Sequence, residues 1–158
     1  MGSVVDATEG QITITSAADT KGKTQTANFG GSQFKITQKR AAKPITDITL
    51  TGGDFSGCFP RTIGKNTADV FAAGRRKWSR RRLWGNGHGR FRTRGRHGTA
   101  TVRGTHWMTE DRCDGTLVRV KRGLVEVRDL ERRRTVMVGA GEQYFAKSLR
   151  AQKARRKR

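Results

Sequence analysis

In TLVRVKRGLVEVRDL, Thr116 to Leu130, apolar residues fall on every second position on both sides of an Arg-Gly pair: Val118 and Val120 before it, Val125 and Val127 after it. A period of two sends successive side chains to opposite faces, which is the geometry of a strand with one face against a core. The same alternation predicts strands at 99–102, 117–121, 124–128 and 135–138, with Arg122 and Gly123 as the turn of a hairpin between the middle two. Two prolines, 20 glycines and many Thr and Val carry the same message through the rest of the chain, because β-branched residues fit the pleat and glycine supplies tight turns. The fold class expected is all-β.

A repeat organises these strands. EGQITITSA, from Glu9, aligns with RGLVEVRDL, from Arg122, and GGSQFKI, from Gly30, then falls beside AGEQYFA, from Ala140. This predicts two related strand-hairpin halves in which Gly31 and Gly141 occupy equivalent turns and Ile12 and Ile14 correspond to Val125 and Val127. On this alignment SVVDATEG matches TLVRVKRG, and the counterpart of TATVRGT would lie upstream of Met1, so the chain is expected to be the C-terminal piece of a longer protein. The divisions that follow are an N-terminal partial repeat over 1–57, a basic linker over 58–82 with a short helical stretch at 67–73, a β domain over 83–146, and a mobile basic tail over 147–158.

Charge is unevenly placed. The chain carries 34 Lys and Arg against 13 Asp and Glu, a net +21. Residues 1–60 hold 6 and 5 of these and residues 61–158 hold 28 and 8, so nearly all of the excess lies in the second part. A strand over GRFRTRGR would set Arg90, Arg92, Arg94 and Arg96 on one face, with Arg103 following. Such a face is either solvated or in contact with a polyanion, and these five arginines are the candidate anion-binding residues.

Cys58 and Cys113 each sit beside Gly and Asp, in settings typical of turns. With no Cys or His nearby at metal-ligand spacing, the choice lies between a disulfide and two free thiols, and the sequence favours the disulfide. Its loop of about 55 residues would stabilise the fold by roughly 4 kcal/mol on the chain-entropy account, and it implies an oxidising compartment. There is no apolar run of the roughly 20 residues a helical span needs.

The remaining chemistry is thin. His88, His97 and His106 are nine apart, which places His97 on the opposite strand face from the other two and argues against a metal site. Glu110, Asp111 and Asp114 read as an acidic turn that would raise the Cys113 thiol pKa and disfavour a nucleophile. The glycines of GNGHG lack the helix that a phosphate loop requires. Trp78, Trp84 and Trp107 fit core or rim positions better than a stacking platform for bases. No catalytic residue, cofactor or metal is expected.

Three segments, ATVRGT (Ala100 to Thr105), DGTLVRVKRGLVEVRD (Asp114 to Asp129) and VMVGAGEQY (Val136 to Tyr144), resemble in order and spacing the FecR-type extracytoplasmic domain, over roughly the final 70 residues. More narrowly, the segment from Leu83 to Thr116 looks like the C-terminal region of actinobacterial secreted or cell-surface proteins. The resemblance implies an antiparallel, jelly-roll-like sandwich working outside the cytoplasm. It does not carry over the iron-signalling role of the namesake regulators, because their anti-sigma segment and membrane helix have no counterpart in these residues. In ATVRGT, Ala100 and Val102 are expected to face the core, Gly104 to bend the chain, and the Thr105 hydroxyl to close the turn. The function expected is a noncatalytic extracellular or cell-surface module whose partner is an acidic protein or an anionic wall polymer. The alternative is a basic nucleic-acid-binding protein.

Overall fold

A computed structural model describes residues 2–58 and 79–151. The first strands are β1 (Ser3–Asp6), β2 (Gln11–Ala17), β3 (Thr24–Gly30), β4 (Gln33–Gln38) and β5 (Thr46–Thr51). After a 3-10 turn at Ser56–Cys58 come β6 (Arg80–His88), β7 (Phe91–Arg94), β8 (Gly98–Val102) and β9 (Thr105–Arg112). The last four are β10 (Gly115–Arg122), β11 (Leu124–Asp129), β12 (Arg134–Gly139) and β13 (Gln143–Lys147). They form a seven-stranded sheet in the order β1-β4-β5-β7-β8-β11-β12 and a six-stranded sheet in the order β13-β10-β9-β6-β3-β2, packed as a sandwich. The pairing of β5 with β7 is parallel, and the other described pairings are antiparallel.

The alternating residues meet between the sheets. Val125 and Val127 from one sheet and Val118 and Val120 from the other are all buried in one apolar cluster. At its centre Phe29 touches three aromatic rings, Phe34 at 5.9 Å, Phe91 at 5.6 Å and Trp107 at 5.8 Å between centroids. Burying each of these side chains is worth about 2–3 kcal/mol relative to leaving it in water. The Trp107 indole N–H donates to the Thr93 hydroxyl at 3.2 Å, and Thr93 is hydrogen-bonded to Thr109 at 2.6 Å. Tryptophan fits there because β6 carries Gly85 opposite it, where a Cβ would come within 2.6 Å of the indole ring.

The aligned segments have the same local topology. In the first unit β1 pairs with β4 while the intervening β2–β3 hairpin crosses to the other sheet; in the second, β10 pairs with β13 while the β11–β12 hairpin crosses. The hydrogen bonds correspond atom for atom. The Gly31 N–H donates to the Ala7 carbonyl at 2.7 Å and the Ala7 N–H to Ser32 at 3.2 Å; the Gly141 N–H donates to Val120 at 2.9 Å and the Val120 N–H to Glu142 at 3.0 Å. Both glycines have positive φ, 93° and 84°. Strands β5 to β9 lie between the two units and join them, and the apolar cluster includes residues from all three segments.

Several expectations are corrected. Strands β10 and β11 are not a hairpin: they lie in different sheets, and Gly123, at φ 85°, turns the chain from one to the other. Inward-facing valines on both sides of the turn suit such a corner as well as they suit a hairpin. Glu110 and Asp111 belong to strand β9 and not to a turn; only Asp114 is in the loop. Arg80 to Arg82, placed in the linker, open β6. Ala100 and Val102 do face the core, and Gly104 does bend the chain at φ 101°, but the buried Thr105 hydroxyl has no partner within the described residues and begins β9 instead of closing the turn. Order extends past Lys147, since Ser148 is buried and its N–H donates to the Asp114 carbonyl at 2.8 Å. The expected helical stretch at 67–73, the rest of the linker, Trp78 and the tail beyond Ala151 lie outside the described residues.

Candidate anion-binding surface

The structure distributes the five candidate arginines over three places. Arg92 and Arg94 lie on β7 and point away from the core, on the outer face of the seven-stranded sheet. Parallel pairing sets Asp47 of β5 beside Arg92, and this one carboxylate serves both guanidinium groups. Arg92 donates from Nε at 2.5 Å and Nη2 at 2.9 Å, and Arg94 from Nε at 2.9 Å. Arg96 lies beyond the far end of β7, its guanidinium 4.6 Å over the Phe55 ring. Arg90 precedes β7 and Arg103 sits in the β8–β9 turn, both at the opposite end of the sandwich from Arg96.

More of the arginine is tied up by buried acids, two of which, Glu110 and Asp111, the sequence placed in a turn. Antiparallel pairing lays Arg80, Arg81 and Arg82 of β6 against Arg112, Asp111 and Glu110 of β9. On the outer face of the six-stranded sheet, the fully buried Glu110 accepts from Arg82 at 2.5 Å and from Arg112, with Arg80 at 3.7 Å. One residue along, Asp111 faces inward and takes both Nε and Nη2 of Arg81, at 2.9 and 2.8 Å. Asp129, also fully buried, accepts from the Tyr144 hydroxyl at 2.8 Å and from Arg132. The signal that could have found the β6–β9 pairs was the charge-complementary tripeptides RRR and EDR.

These contacts lower the pKa of Asp47, Glu110 and Asp129. Burial alone would raise the Asp47 carboxyl, but hydrogen bonds from Arg92 and then Arg94 outweigh it and hold the group below the usual carboxylate range. Glu110 is lowered in the same way, burial being overcome by Arg112 and Arg82, and so is Asp129, by the Arg132 backbone N–H, Tyr144 and the Arg132 side chain. A depressed folded pKa means that the unfolded chain binds protons first as pH falls. The stability these groups confer is therefore complete above the unfolded carboxylate range and is lost as pH drops through it and on to the folded values. Urea midpoints should fall slightly from about pH 7 to 5, where the lowered pKa of His106 begins to cost stability, and steeply below about pH 4, where these acids lose their pairing. A midpoint that rises on acidification would contradict these pairings.

The aromatic and histidine side chains hold structural positions. Trp84 lies half-buried on the outer face of the six-stranded sheet, with the Lys121 ammonium 4.7 Å over its ring and His106 edge-on at 5.6 Å. Burial, then Lys121 and Arg122, push the His106 pKa down and so favour the neutral imidazole against the indole. His97 is buried, its Nδ1 2.8 Å from a Glu131 oxygen, while its Nε2 has no partner. His88 is exposed at the end of β6. Among the described residues no three His, Cys, Asp or Glu side chains gather as a metal site. Cys113 is bonded to Cys58, so neither sulfur is a thiol.

A polar network lies under the loops at the Arg90 end. The buried Gln25 of β3 accepts the Arg90 N–H at 2.7 Å and donates to the Arg90 carbonyl at 3.3 Å and the Thr46 hydroxyl at 3.1 Å. Thr46 is bonded in turn to Ser16 at 2.6 Å and accepts from Gln38 at 2.9 Å. One glutamine thus grips the β6–β7 turn by both of its backbone polar groups and joins the two sheets. Gly89, at φ 118°, is part of this fit, since a Cβ there would lie 2.5 Å from Gln25. Compared with known proteins, the chain matches no family model and no curated protein.

Proposed function

We propose that the chain is a noncatalytic β-sandwich module of the FecR type that works outside the cytoplasm as a structural or interaction part of a secreted or cell-surface protein. The observation that carries this reading is the Cys58–Cys113 disulfide, because such bonds persist in oxidising compartments and are rare where thiols are kept reduced. The arginine-carboxylate pairs support it by giving much of the basic excess a structural task. The imidazole-carboxylate pair of His97 and Glu131 has no nucleophile within hydrogen-bond reach among the described residues, which supports a noncatalytic role. Among the described residues no helix is long and apolar enough to cross a membrane.

The partner in this reading is an acidic protein or an anionic wall polymer. The net charge of +21 favours a second reading, a basic nucleic-acid-binding protein. The two separate in the native host. A reporter fusion carrying the natural upstream sequence should appear outside the cytoplasmic membrane, and nonreducing peptide mapping of that material should recover Cys58 linked to Cys113. Cytosolic retention with copurifying RNA and two alkylatable thiols would overturn the first reading in favour of the second.

A further inference from the structure

Between the β2–β3 turn, the β4–β5 loop and the β6–β7 turn lies an open depression of about 540 Å³, lined by Lys23, Lys43, His88 and Arg90 with Thr24 and Thr26. In contrast to Arg81, Arg82, Arg92 and Arg94, the charged ends of Lys23, Lys43 and Arg90 meet no carboxylate among the described residues. The acid in the lining, Asp19, is engaged with backbone, accepting the N–H groups of Lys21 and Lys23 at 2.7 and 3.1 Å. The β8–β9 turn closes on the same rim, since a Cβ on Gly104 would lie 3.2 Å from His88 Nδ1. The floor is held by Gln25, which fixes the backbone of Arg90 from a buried position.

We infer that this depression binds a base-free phosphodiester polymer, a chain of polyol phosphates, through Lys23, Lys43, His88 and Arg90. The inference deepens the reading of the chain as an interaction module. Several cations without carboxylate partners around an open depression suit a ligand that carries repeated charges, whereas a small anion would need an enclosed site with converging donors. Threonine hydroxyls offer hydrogen bonds to the sugar-alcohol units. The lining contains no Trp, Tyr or Phe, and without such rings the site lacks the stacking surface by which single-stranded nucleic acids are held. Arg92 and Arg94, which the sequence singled out, share Asp47 as their partner and are outside this site.

The test is fluorescence anisotropy of the full chain, oxidised, with end-labelled poly(glycerol phosphate) and with an oligodeoxythymidine of the same phosphate count. Wild-type protein should bind the glycerol polymer more tightly, with affinity falling steeply as salt rises. Lys23→Gln/Lys43→Gln/Arg90→Gln should lose roughly tenfold or more at low salt and flatten the slope of log K against log salt by about 2, as loss of three phosphate contacts requires. The double variant Lys23→Gln/Lys43→Gln, confined to exposed loop residues, should keep the wild-type melting temperature and lose about threefold to fivefold. Arg92→Gln/Arg94→Gln should bind within about twofold of wild type. Unchanged affinity in the triple and double variants, or an equal loss in the Arg92/Arg94 variant, would overturn the site. Tighter binding of oligodeoxythymidine would overturn the ligand and point to nucleic acid. Both results are read on purified protein, so they are distinct from the export and disulfide measurements that test the module itself.

Discussion

Replacing both Cys58 and Cys113 by alanine should lower the urea midpoint of unfolding by about 2 M, from a loss near 4 kcal/mol and a slope of about 2 kcal/mol per M. The bond spans 55 residues of sequence, so in the unfolded chain it removes the freedom of a long loop. In the native state it ties the 3-10 turn that follows β5 of one sheet to the β9–β10 turn of the other. The stability at stake is a large share of the total, since domains of this size are stable by only about 5–15 kcal/mol. The Cys113 side is well packed, with the residue buried, so some of the loss is contact and not entropy. Reduction of the wild-type protein should reproduce most of the effect. A midpoint shift below about 0.5 M in both experiments would show that the sandwich does not depend on this bond and would weaken the export argument built on it.

The repeat and the strand alternation were legible because both are local: a period of two needs only neighbouring residues, and the Gly31 and Gly141 turns need only a positive φ at a fixed offset. What the alternation leaves open is which sheet a strand joins. Val118, Val120, Val125 and Val127 face a core whether Gly123 makes a hairpin or a corner, and only the pairings of β10 with β9 and β13, and of β11 with β8 and β12, decide it. Strand β6 was hidden for a different reason. Its sequence RRRLWGNGH has poor strand propensity, and its glycines are there for packing: Gly85 clears Trp107, and a Cβ on Gly87 would lie 2.4 Å from Ala27. Long-range burial overrides propensity at such positions. The arginine face was misjudged through the same gap, since Asp47 lies 45 residues before Arg92 and meets it only once β5 and β7 run in parallel. The depression proposed to bind an anionic polymer draws on three separate loops, and no contiguous stretch of sequence displays it.

Asp111→Ala should destabilise the protein by about 3–5 kcal/mol, the cost of breaking a buried pair and leaving one charge behind. Asp111 is fully buried, and its two oxygens accept four hydrogen bonds. Oδ2 takes the Arg81 fork, and Oδ1 takes the Thr116 hydroxyl at 2.6 Å and the Arg96 N–H at 2.8 Å. These donors come from β6, β10 and the loop after β7, so the carboxylate joins both sheets at the end of the sandwich where the disulfide also lies. Even the approach is shaped for it, since a Cβ on Gly95 would come within 2.4 Å of Oδ1. Alanine would strand the Arg81 guanidinium, whose side chain is only 16 % exposed, with the Gly52 carbonyl at 2.8 Å and the Phe55 ring at 4.9 Å as its remaining contacts. Asparagine is no rescue, because its amide must turn a donor toward either Arg81 or the Thr116 and Arg96 donors. Asp47→Ala is the internal comparison: its partners Arg92 and Arg94 are 28 % and 39 % exposed and can return to water, so the loss there should be about 1 kcal/mol. The combined variant Arg81→Met/Asp111→Leu should recover only part of the loss, because no charge is left stranded but the Arg96 N–H and the Thr116 hydroxyl still lose their acceptor. Urea denaturation of the four proteins measures the whole set. A loss below about 1 kcal/mol for Asp111→Ala would mean that Asp111 is not the junction its hydrogen bonds describe.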